Sequence, residues 1–392
     1  MKRVFLLSIV VAAISINATA DAQKIVDDLI KRTQSGDTTS ILFWSPEQRR
    51  VGFREITQIQ PTREIHRGTN IYEFKENRQD LSLIEYTVEG TTKTVQDFLD
   101  QPESIGLIVV HRNQIIFEQY QAGNTKESRW ISFSVTKSVT SMLIGAAIKD
   151  GYIKSVDEPV VNYLPRLRGT AYEAASIKDV LQMSSGVAWN EDYADPDSDV
   201  AHAGGLNGLP LVQYLSKLDV DQKPGEKFNY NTGETNLVGQ ILRAAIGNNA
   251  STYLTKKIWQ PFGMEFNASW SLDSPFGAEL GGCCINATLR DYARLGIFAM
   301  KNGKLPNGEE VLPANWMKDS TTPSKGFPGY GYLWWLAGDG SYAAQGIFGQ
   351  NISIDPETEL VIAMHNSAPA AVGTKFHQER NAVLAAIRAH FQ

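Results

Sequence analysis

The chain has 392 residues, of which 42% are hydrophobic and 20% are charged, and its formal net charge is -6. This composition is typical of a globular protein with enough apolar material for a core, and the acidic balance argues against a nucleic-acid partner, which requires a basic face. At about 100–200 residues per domain, the length favours two domains or one domain with an insertion.

The first 22 residues have the pattern of a cleaved secretory signal. Lys2 and Arg3 precede an apolar run from Val4 to Ile16, which is shorter than the ~20 residues that a membrane span needs. Small residues that include Ala20 and Ala22 then provide cleavage sites. We expect cleavage after Ala20 or Ala22, a periplasmic or secreted location, and no membrane span in the mature chain.

Residues 23–90 are predicted to form a polar N-terminal extension, and their sequence does not indicate how they pack. Within it, Asp27–Arg32 could form a short helix and Ile71–Phe74 a short strand. The first clear element follows it. Ile105–Val110 and Ile115–Tyr120 are apolar runs separated by four polar residues, a pattern that predicts a β-hairpin.

Helical patterns dominate the middle of the chain. From Ser134 to Lys149, apolar residues recur at helical spacing and Gly151 follows shortly, which predicts a largely buried helix. Further helices are predicted at Ile177–Gln182, Leu211–Lys217, Glu234–Ile246, Ala287–Met300 and Asn381–His390.

The last third of the chain carries most of the remaining strand signals. Strands are predicted at Tyr330–Ala337, Ser341–Gln345, Asn351–Ile354 and Leu360–Met364. Strands near both ends of the chain and helices between them favour an α+β fold, in which an antiparallel sheet is formed by both chain ends, flanked by helices. We therefore predict an α/β domain made of residues 91–149 and 285–392, with residues 150–284 inserted as a mainly helical domain.

The cysteines and histidines provide no evidence for a metal site. Cys283 and Cys284 are the only cysteines, and as neighbours they cannot link distant segments. Because a vicinal disulfide would be strained, we expect two small buried apolar side chains instead. The chain has no C-x-x-C or H-E-x-x-H motif and its histidines lack ligand spacing, so we expect no metal and no other cofactor.

The strongest candidate for chemistry is Ser134 with Lys137. Residues three apart at the start of a helix lie on one face within contact range, and the helix N-terminus favours negative charge on the serine oxygen. A lysine acts as a base only when burial lowers its pKa. The alternative is a surface pair, since such spacing arises by chance. However, Ser134 is the only serine with a lysine three residues later, and it begins a largely apolar helix.

Two later segments could complete such a site. Tyr230 lies in a polar stretch before a predicted helix, where its hydroxyl could carry a proton; the alternative is an aromatic that only packs. Gly346 follows a predicted strand, where glycine would permit close approach by a substrate backbone; the alternative is a plain β-turn.

Taken in order, these segments resemble the serine β-lactamase and penicillin-binding superfamily. The connecting stretches are similar too, and the resemblance spans roughly residues 85–390. They are Val156–Pro165 after the nucleophile helix, Ile177–Gly186 with its ending LQMSSG, and Ala287–Gly296 with the sequence ATLRDYARLG. The resemblance implies a β-lactamase/transpeptidase-like fold and a nucleophilic Ser134 activated by Lys137 and Tyr230.

Within that superfamily, the chain looks most similar to class C-like esterases and to the 6-aminohexanoate-dimer (nylon oligomer) hydrolases. Trp189–Ser198 resembles the loop that gives those hydrolases an additional active-site tyrosine, here Tyr193. Gly346–Gln350 also fits that branch. The resemblance implies a small linear amide or ester as substrate, an oxyanion held by the backbone N–H groups of Ser134 and Ile347, and a mobile lid that contains Tyr193.

Two motifs depart from the superfamily pattern. The third motif, usually Lys-Thr-Gly or His-x-Gly, is Ala344-Gln345-Gly346, and the second, usually Tyr-x-Asn, is Tyr230-Asn231-Thr232. β-Lactamase or D-alanyl-D-alanine carboxypeptidase activity is therefore the alternative function, together with a non-catalytic binding protein on the same fold. A Ser-His-Asp α/β-hydrolase is disfavoured because the chain has no Gly-x-Ser-x-Gly elbow.

Overall fold

The computed structural model describes residues 20–35 and 41–392. Most of the predicted secretory signal, residues 1–19, lies outside the described residues, so the signal and the export that it implies remain predictions. Among the residues described, no helix combines the length and apolar character that a membrane crossing needs. The same residues contain no group of three or more His, Cys, Asp or Glu side chains that could hold a metal ion.

The helices of the described ranges lie mainly between the two groups of sheet strands in the sequence. They are α1 (20–34), α2 (Pro46–Gly52), α3 (Ile56–Ile59), α4 (Val95–Leu99), α5 (Val135–Lys149), α6 (Ile177–Leu181), α7 (Asp199–Ala203), α8 (Gly208–Leu215), α9 (Thr232–Ile246), α10 (Ala250–Leu254), α11 (Gln260–Phe262), α12 (Leu289–Met300), α13 (Trp316–Ser320) and α14 (Lys375–Phe391).

The strands form a large sheet, a smaller sheet and a separate hairpin. They are β1 (Thr62–Ile65), β2 (Lys75–Glu76), β3 (Glu85–Val88), β4 (Thr91–Thr94), β5 (Ser104–His111), β6 (Gln114–Tyr120), β7 (Arg129–Ile131), β8 (Ala268–Ser271), β9 (Ile285–Thr288), β10 (Trp335–Leu336), β11 (Tyr342–Gln345), β12 (Asn351–Asp355) and β13 (Leu360–Asn366).

The large sheet has the order β10-β11-β12-β13-β5-β6-β2 and joins strands from both ends of the chain. Neighbouring strands are antiparallel, except that the edge strand β2 runs parallel to β6. The smaller sheet, β1-β8-β9-β7, is antiparallel throughout. The α+β fold with a sheet formed by both chain ends is therefore confirmed, whereas the division into two domains stays a prediction.

The centre of the large sheet is apolar because both of its faces are covered. Along β5, Ile108 and Val110 join the core cluster that contains the buried residues of α5 and α12, while Leu107 and Val109 face the cluster that contains those of α14. A strand buried on both faces needs a continuous apolar run instead of an alternating one. The predicted hairpin of β5 and β6 is confirmed in antiparallel register.

Helix α5 lies inside the protein, and this places its first turn in the interior. All residues from Val135 to Ala147 are buried, as expected for a helix that is apolar around most of its circumference. Gly145 allows the ring of Trp316 to approach, because a Cβ atom at this position would lie 2.6 Å from that ring. The helix therefore presents Ser134 and Lys137 within the fold and not at an exposed surface.

The N-terminal extension packs directly beneath this helix start. Its strand β1 completes the smaller sheet by pairing with β8. Its Phe53 ring lies 5.0 Å from the ring of Phe133 and 5.3 Å from that of Phe348. The extension thus supports the residues on both sides of the candidate site, which its polar composition did not indicate.

Three of the predicted elements are wrong in part. Ile71–Phe74 is not a strand, because Tyr72 donates its N–H to Gly263 and stacks on Phe262 instead of pairing with a strand. In Tyr330–Ala337 only β10 is a strand, because the chain turns back where Gly331 donates to Trp334.

The predicted Ala287–Met300 helix begins only at Leu289. Ala287 and Thr288 belong to β9 and pair with β7, and the Thr288 side chain caps α12 by accepting from the N–H of Asp291. The other predicted helices and strands are present with different ends, and the largest differences are at α1 and α14, which begin at residues 20 and 375 instead of 27 and 381.

The expectation for the two cysteines is also wrong. Cys283 and Cys284 are joined as a vicinal disulfide. Cys284 is buried and Cys283 is half-buried. Both border the cavity beside Ser134.

Candidate active site

Ser134 occupies the N-cap position of α5, yet its side chain makes no capping hydrogen bond. A serine at the start of a helix usually stabilises it by accepting from a first-turn N–H, so this structural role is not performed here. The preceding Phe133 has a φ of 45°, a left-handed conformation that costs energy for a bulky residue and is often found at functional sites. The Ser134 side chain is thus held towards the cavity beside α5.

Lys137 lies one turn further along the helix and is 1% exposed. Its Nζ donates to Ser134 Oγ at 3.2 Å, to Thr232 Oγ1 at 3.1 Å and to the carbonyl of Gly282 at 3.0 Å. Burial lowers the pKa of Lys137 to about 8, an effect that the negative charge of Glu191 partly opposes. A substantial fraction of Lys137 is therefore neutral near physiological pH and able to accept a proton.

Tyr230 approaches the same two side chains from the loop before α9. Its ring lies 5.3 Å from Lys137 Nζ and stacks on Trp335 at 5.7 Å. The Ser134 side chain lies close enough to lower the pKa of Tyr230, an effect that burial outweighs. Burial raises the pKa of Tyr230, and the charge of Glu191 raises it further, so the phenol keeps its proton at neutral pH. Within the described residues, the hydroxyl is not among the hydrogen-bond partners of Lys137.

Glu191 is a residue that the sequence patterns missed. Its carboxylate accepts four hydrogen bonds: one from Trp189 Nε1, one from the Tyr193 hydroxyl at 2.7 Å, one from the N–H of Thr232 at 2.9 Å and one from Thr232 Oγ1. Because Thr232 Oγ1 accepts from Lys137 while it donates to Glu191, it connects the carboxylate to the ammonium. The only sequence signal was an acid between Trp189 and Tyr193, which is weak.

The second motif departs from the superfamily pattern, but another polar side chain replaces the missing asparagine beside Lys137. Thr232, in place of the usual asparagine, supplies an oxygen that Lys137 contacts directly. It is the first residue of α9, whose N-cap Asn231 accepts from the N–H of Glu234. The start of this helix is thus positioned to hold Thr232 against α5.

Two residues at the site have backbone N–H groups without partners in the described part of the protein. In residues 41–392, neither Ser134 nor Ile347 donates its N–H to a protein acceptor, and both residues line the same cavity. Gly346 allows the segment of Ile347 to pack against the segment of Ser134. A Cβ atom at residue 346 would lie 2.6 Å from the carbonyl oxygen of Ser132 and would prevent this packing. The glycine is therefore needed for close approach of the protein's own chain, whereas we had expected it to admit a substrate.

His377 anchors the Ile347 segment from α14. Its Nε2 lies 2.9 Å from the carbonyl oxygen of Ile347, and its Nδ1 lies 2.7 Å from the Thr374 hydroxyl. Burial and the adjacent charge of Arg380 lower the pKa of His377 to about 4, so the ring is neutral near pH 7. The neutral ring donates to Ile347 through Nε2 and accepts from Thr374 through Nδ1.

Tyr193 and Ile347 border two adjoining cavities. One cavity, of about 240 Å³, is lined by Ser134 and Lys137 and has mainly apolar walls. The other, of about 350 Å³, is lined by Tyr230, Trp335 and residues of α14. Tyr193 is half-buried, so it is not an exposed aromatic at the surface of its loop. The loop on which it lies does carry exposed residues between 192 and 199.

The site thus combines the groups needed for acyl transfer. A serine oxygen contacts a buried amine of lowered pKa, and a protonated phenol lies close to that amine. In the described chain, two N–H groups without protein partners belong to residues that line the same cavity. Such groups can activate a nucleophile, supply a proton and stabilise an oxyanion.

Comparison with known proteins agrees with this chemistry. A model of the Beta-lactamase family matches residues 91–386. The chain is 29% identical over 311 residues to the 6-aminohexanoate-dimer hydrolase of Paenarthrobacter ureafaciens, which covers 73% of this chain and 78% of that protein.

Solved structures show the same fold. A Bacillus anthracis protein provisionally named a 6-aminohexanoate-dimer hydrolase superimposes with a TM-score of 0.77 at 21% identity, over 90% of this chain and 98% of that one. A family VIII carboxylesterase superimposes with a TM-score of 0.58 at 15% identity, over 75% of this chain and 95% of that one. Because the family model covers most of the described chain, this protein belongs to the beta-lactamase family of serine hydrolases.

Proposed function

We propose that the protein hydrolyses a linear amide or ester through an acyl-enzyme formed on Ser134. The observation that carries this proposal is the contact of Lys137 Nζ with Ser134 Oγ inside the protein, where the lysine is 1% exposed. A buried amine needs a reason to be there, because its desolvation is costly. Use as a base next to a nucleophile supplies that reason.

In the acylation step, neutral Lys137 takes the proton of Ser134 while the oxygen attacks the carbonyl carbon. The negative charge that develops on the carbonyl oxygen would be held by the N–H groups of Ser134 and Ile347, each worth roughly 3 kcal/mol in such sites. The N-terminus of α5 adds a favourable partial positive charge.

Tyr230 would then pass a proton to the leaving group. Its raised pKa keeps the phenol protonated, which suits a donor, and its ring lies 5.3 Å from the Lys137 Nζ that contacts Ser134. Once the leaving group departs, the Tyr230 phenolate can accept the proton of the water that attacks the acyl-enzyme, and protonated Lys137 can return its proton to the Ser134 oxygen as the acid product is released.

The substrate class rests on the relatives. The names of the Paenarthrobacter hydrolase and of the carboxylesterase describe a linear amide substrate and an ester substrate, respectively. The Ala344-Gln345-Gly346 sequence lacks the cation of the usual third motif, which disfavours β-lactamase and D-alanyl-D-alanine carboxypeptidase activity. A non-catalytic binding protein would not need the buried lysine.

The test is a substrate panel combined with active-site labelling. We expect turnover of short p-nitrophenyl acyl esters and of the 6-aminohexanoate dimer to exceed that of nitrocefin. A fluorophosphonate should modify Ser134, as located by peptide mass spectrometry. Preferred hydrolysis of nitrocefin would favour the β-lactamase alternative, and absence of both labelling and turnover would favour the binding protein.

Replacing Glu191 with glutamine should move the pH dependence of catalysis to lower pH. The Glu191 charge raises the pKa of Lys137, so removing that charge lets the lysine lose its proton more easily. The acidic limb of the kcat/KM profile should shift down by on the order of one pH unit. The plateau should also fall, since an amide cannot accept all four hydrogen bonds of the carboxylate.

The matched control is Asp197→Asn, which removes a charge from the nearby exposed loop. Its acidic limb should coincide with that of the wild type. If Glu191→Gln lowers activity at every pH without moving the limb, Glu191 supports the structure alone and does not set the basicity of Lys137.

Replacing Tyr193 with phenylalanine should impair amide hydrolysis more than ester hydrolysis. The Tyr193 hydroxyl donates to Glu191, which leaves its oxygen free to accept the N–H of a departing amine. An ester has no such N–H, so the amide-to-ester ratio of kcat/KM should fall by about tenfold. Tyr214→Phe, which removes a hydroxyl bonded to Asp199, should leave the ratio unchanged. An unaltered ratio in Tyr193→Phe would remove Tyr193 from leaving-group binding.

A further inference from the structure

The N-terminal extension reaches the cavity beside Ser134. Ile41, Leu42 and Gln60 belong to the extension, and all three line this cavity of about 240 Å³. They lie outside residues 91–386, the part of the chain that the family model matches. One wall of the cavity is therefore supplied by a segment to which the family pattern does not extend.

The wall is held in place by the residues that follow it in the extension. Ile41–Phe43 form a short helical turn, and the next residue, Trp44, is buried. Its ring packs on Gly52, where a Cβ atom would collide with it. The buried side chain of Arg49 donates through Nη1 to the carbonyl of Trp44 at 2.7 Å, and its guanidinium lies 5.5 Å from the ring of Phe348. These contacts give the turn a defined position beside the cavity.

The cavity is suited to an uncharged, apolar group. Apart from Lys137, no charged side chain is among the described residues that line it. Ile41 and Leu42 are half-buried and pack against the core cluster that contains Phe133, so they present apolar side chains at its boundary. Each methylene group of a substrate that leaves water for such a cavity favours binding. A wall that stops the chain therefore decides how many methylene groups can be buried.

The position of Tyr230 indicates which half of the substrate enters this cavity. In the proposed function Tyr230 protonates the leaving group, and it lines the neighbouring cavity of about 350 Å³. It is not among the described residues that line the cavity bordered by Ile41 and Leu42. The leaving group therefore belongs to the larger cavity, and the acyl group belongs to the smaller one beside Ser134.

We propose that Ile41 and Leu42 set the length of the acyl chain that the enzyme accepts. The inference rests on the proposed function and deepens it, because it names the acyl half of the substrate as an uncharged aliphatic chain of limited length. A chain that ends before the two side chains is buried completely. A longer chain has to displace them or leave methylene groups in water, and its kcat/KM falls accordingly.

The experiment is a chain-length series of p-nitrophenyl esters from acetyl to decanoyl. For the wild type, kcat/KM should rise with chain length to an optimum and then fall, because further methylene groups no longer fit. In Leu42→Ala and in Ile41→Ala the cavity is larger. The ratio of kcat/KM for the decanoyl ester to that for the butanoyl ester should therefore rise about tenfold in each variant.

Two controls distinguish a wall of the cavity from a structural support. Leu42→Met conserves the volume of the side chain and should keep the wild-type ratio. Phe43→Ala removes a larger side chain from the same turn, but this ring is 48% exposed and Phe43 is not among the residues that line either cavity. Its ratio should also equal that of the wild type. Thermal unfolding of each variant shows whether it is folded.

An unchanged decanoyl-to-butanoyl ratio in folded Leu42→Ala and Ile41→Ala would overturn the inference and leave the proposed hydrolase intact. An equal rise in Phe43→Ala would also overturn it, since the effect would then come from loosening of the whole turn. Ethyl butanoate and hexyl butanoate test the placement. If the variants raise the hexyl-to-ethyl ratio instead, the wall borders the leaving group and the acyl assignment is wrong.

A binding measurement tests the wall without turnover, so its result stands even if the proposed function fails. Calorimetric titration with sodium butanoate and sodium decanoate compares two probes that share a carboxylate and differ only in chain length. In Leu42→Ala the affinity for decanoate relative to butanoate should rise about tenfold over the wild type. An unchanged relative affinity would contradict the wall. Absence of ester turnover in every protein, with this rise present, would overturn the hydrolase and keep the wall.

Discussion

Ser134→Ala is expected to lower kcat for ester hydrolysis by a factor on the order of 10⁴–10⁶ in a protein that remains folded. The substitution removes the oxygen that would form the acyl-enzyme, and nothing else at the site can replace it. The structural cost is small, because the side chain caps no helix N–H. Lys137 loses only one of its three acceptors and keeps Thr232 and Gly282. Removing one such hydrogen bond typically costs about 1 kcal/mol.

The measurement is steady-state hydrolysis of p-nitrophenyl butanoate, together with thermal unfolding and fluorophosphonate labelling. Ser138→Ala provides a matched control one turn further along α5. Ser138 Oγ donates to the carbonyl of Leu333 at 2.6 Å, so its loss should lower stability and leave ester turnover intact. Retained turnover in Ser134→Ala would mean that the nucleophile is a different residue.

Lys137→Met should lower kcat/KM by a factor on the order of 10³ and should abolish the acidic limb of the pH profile. A lysine acts as a base only when neutral. With a pKa of about 8, wild-type activity should rise with pH up to about 8 and level off above it. Below that value, kcat/KM should fall about tenfold per pH unit as Lys137 becomes protonated. Methionine fills similar space but cannot accept a proton.

The pH profile should be recorded between about pH 5.5 and 9.5 for both proteins, with unfolding followed at each end. Lys149→Met is the control, because this lysine lies on the same helix but is exposed and pairs with Glu310 at 3.6 Å. Its profile should match that of the wild type. An acidic limb near pH 8 that persists in Lys137→Met would assign that titration to a different group.

The central strands and the nucleophile helix could be predicted because their signals are local. The apolar runs of β5 and β6 and the helical spacing of α5 depend on residues close together in the chain. The contact between Ser134 and Lys137 is of the same kind, since helix geometry alone brings residues three apart together. The ends of helices were predicted less accurately where a capping side chain sets the first residue. Thr288, for example, caps α12, which begins two residues later than the predicted helix.

The long-range contacts of the site could not be obtained in this way. Glu191 reaches Thr232 across 41 positions, and Arg380 reaches Gln345 across 35. The spacing within each pair matches no sequence motif. Nothing in the sequence therefore separates Glu191 or Arg380 from the other charged residues of the chain. Arg380 contacts amide oxygens and no carboxylate in the described chain. Which acceptors surround a buried side chain is decided by tertiary packing.

The sequence by itself therefore determined the α+β class, the buried hairpin and helix, and the serine and lysine that begin that helix, because each is set by periodicity or by fixed helical spacing. The tertiary structure decided which groups surround them. Packing placed Glu191 beside Thr232, held Ile347 near Ser134 through the close approach at Gly346, and left the buried guanidinium of Arg380 with two amide acceptors. These features depend on chain segments that meet only in the folded protein, where burial and proximity set their charges and pKa values.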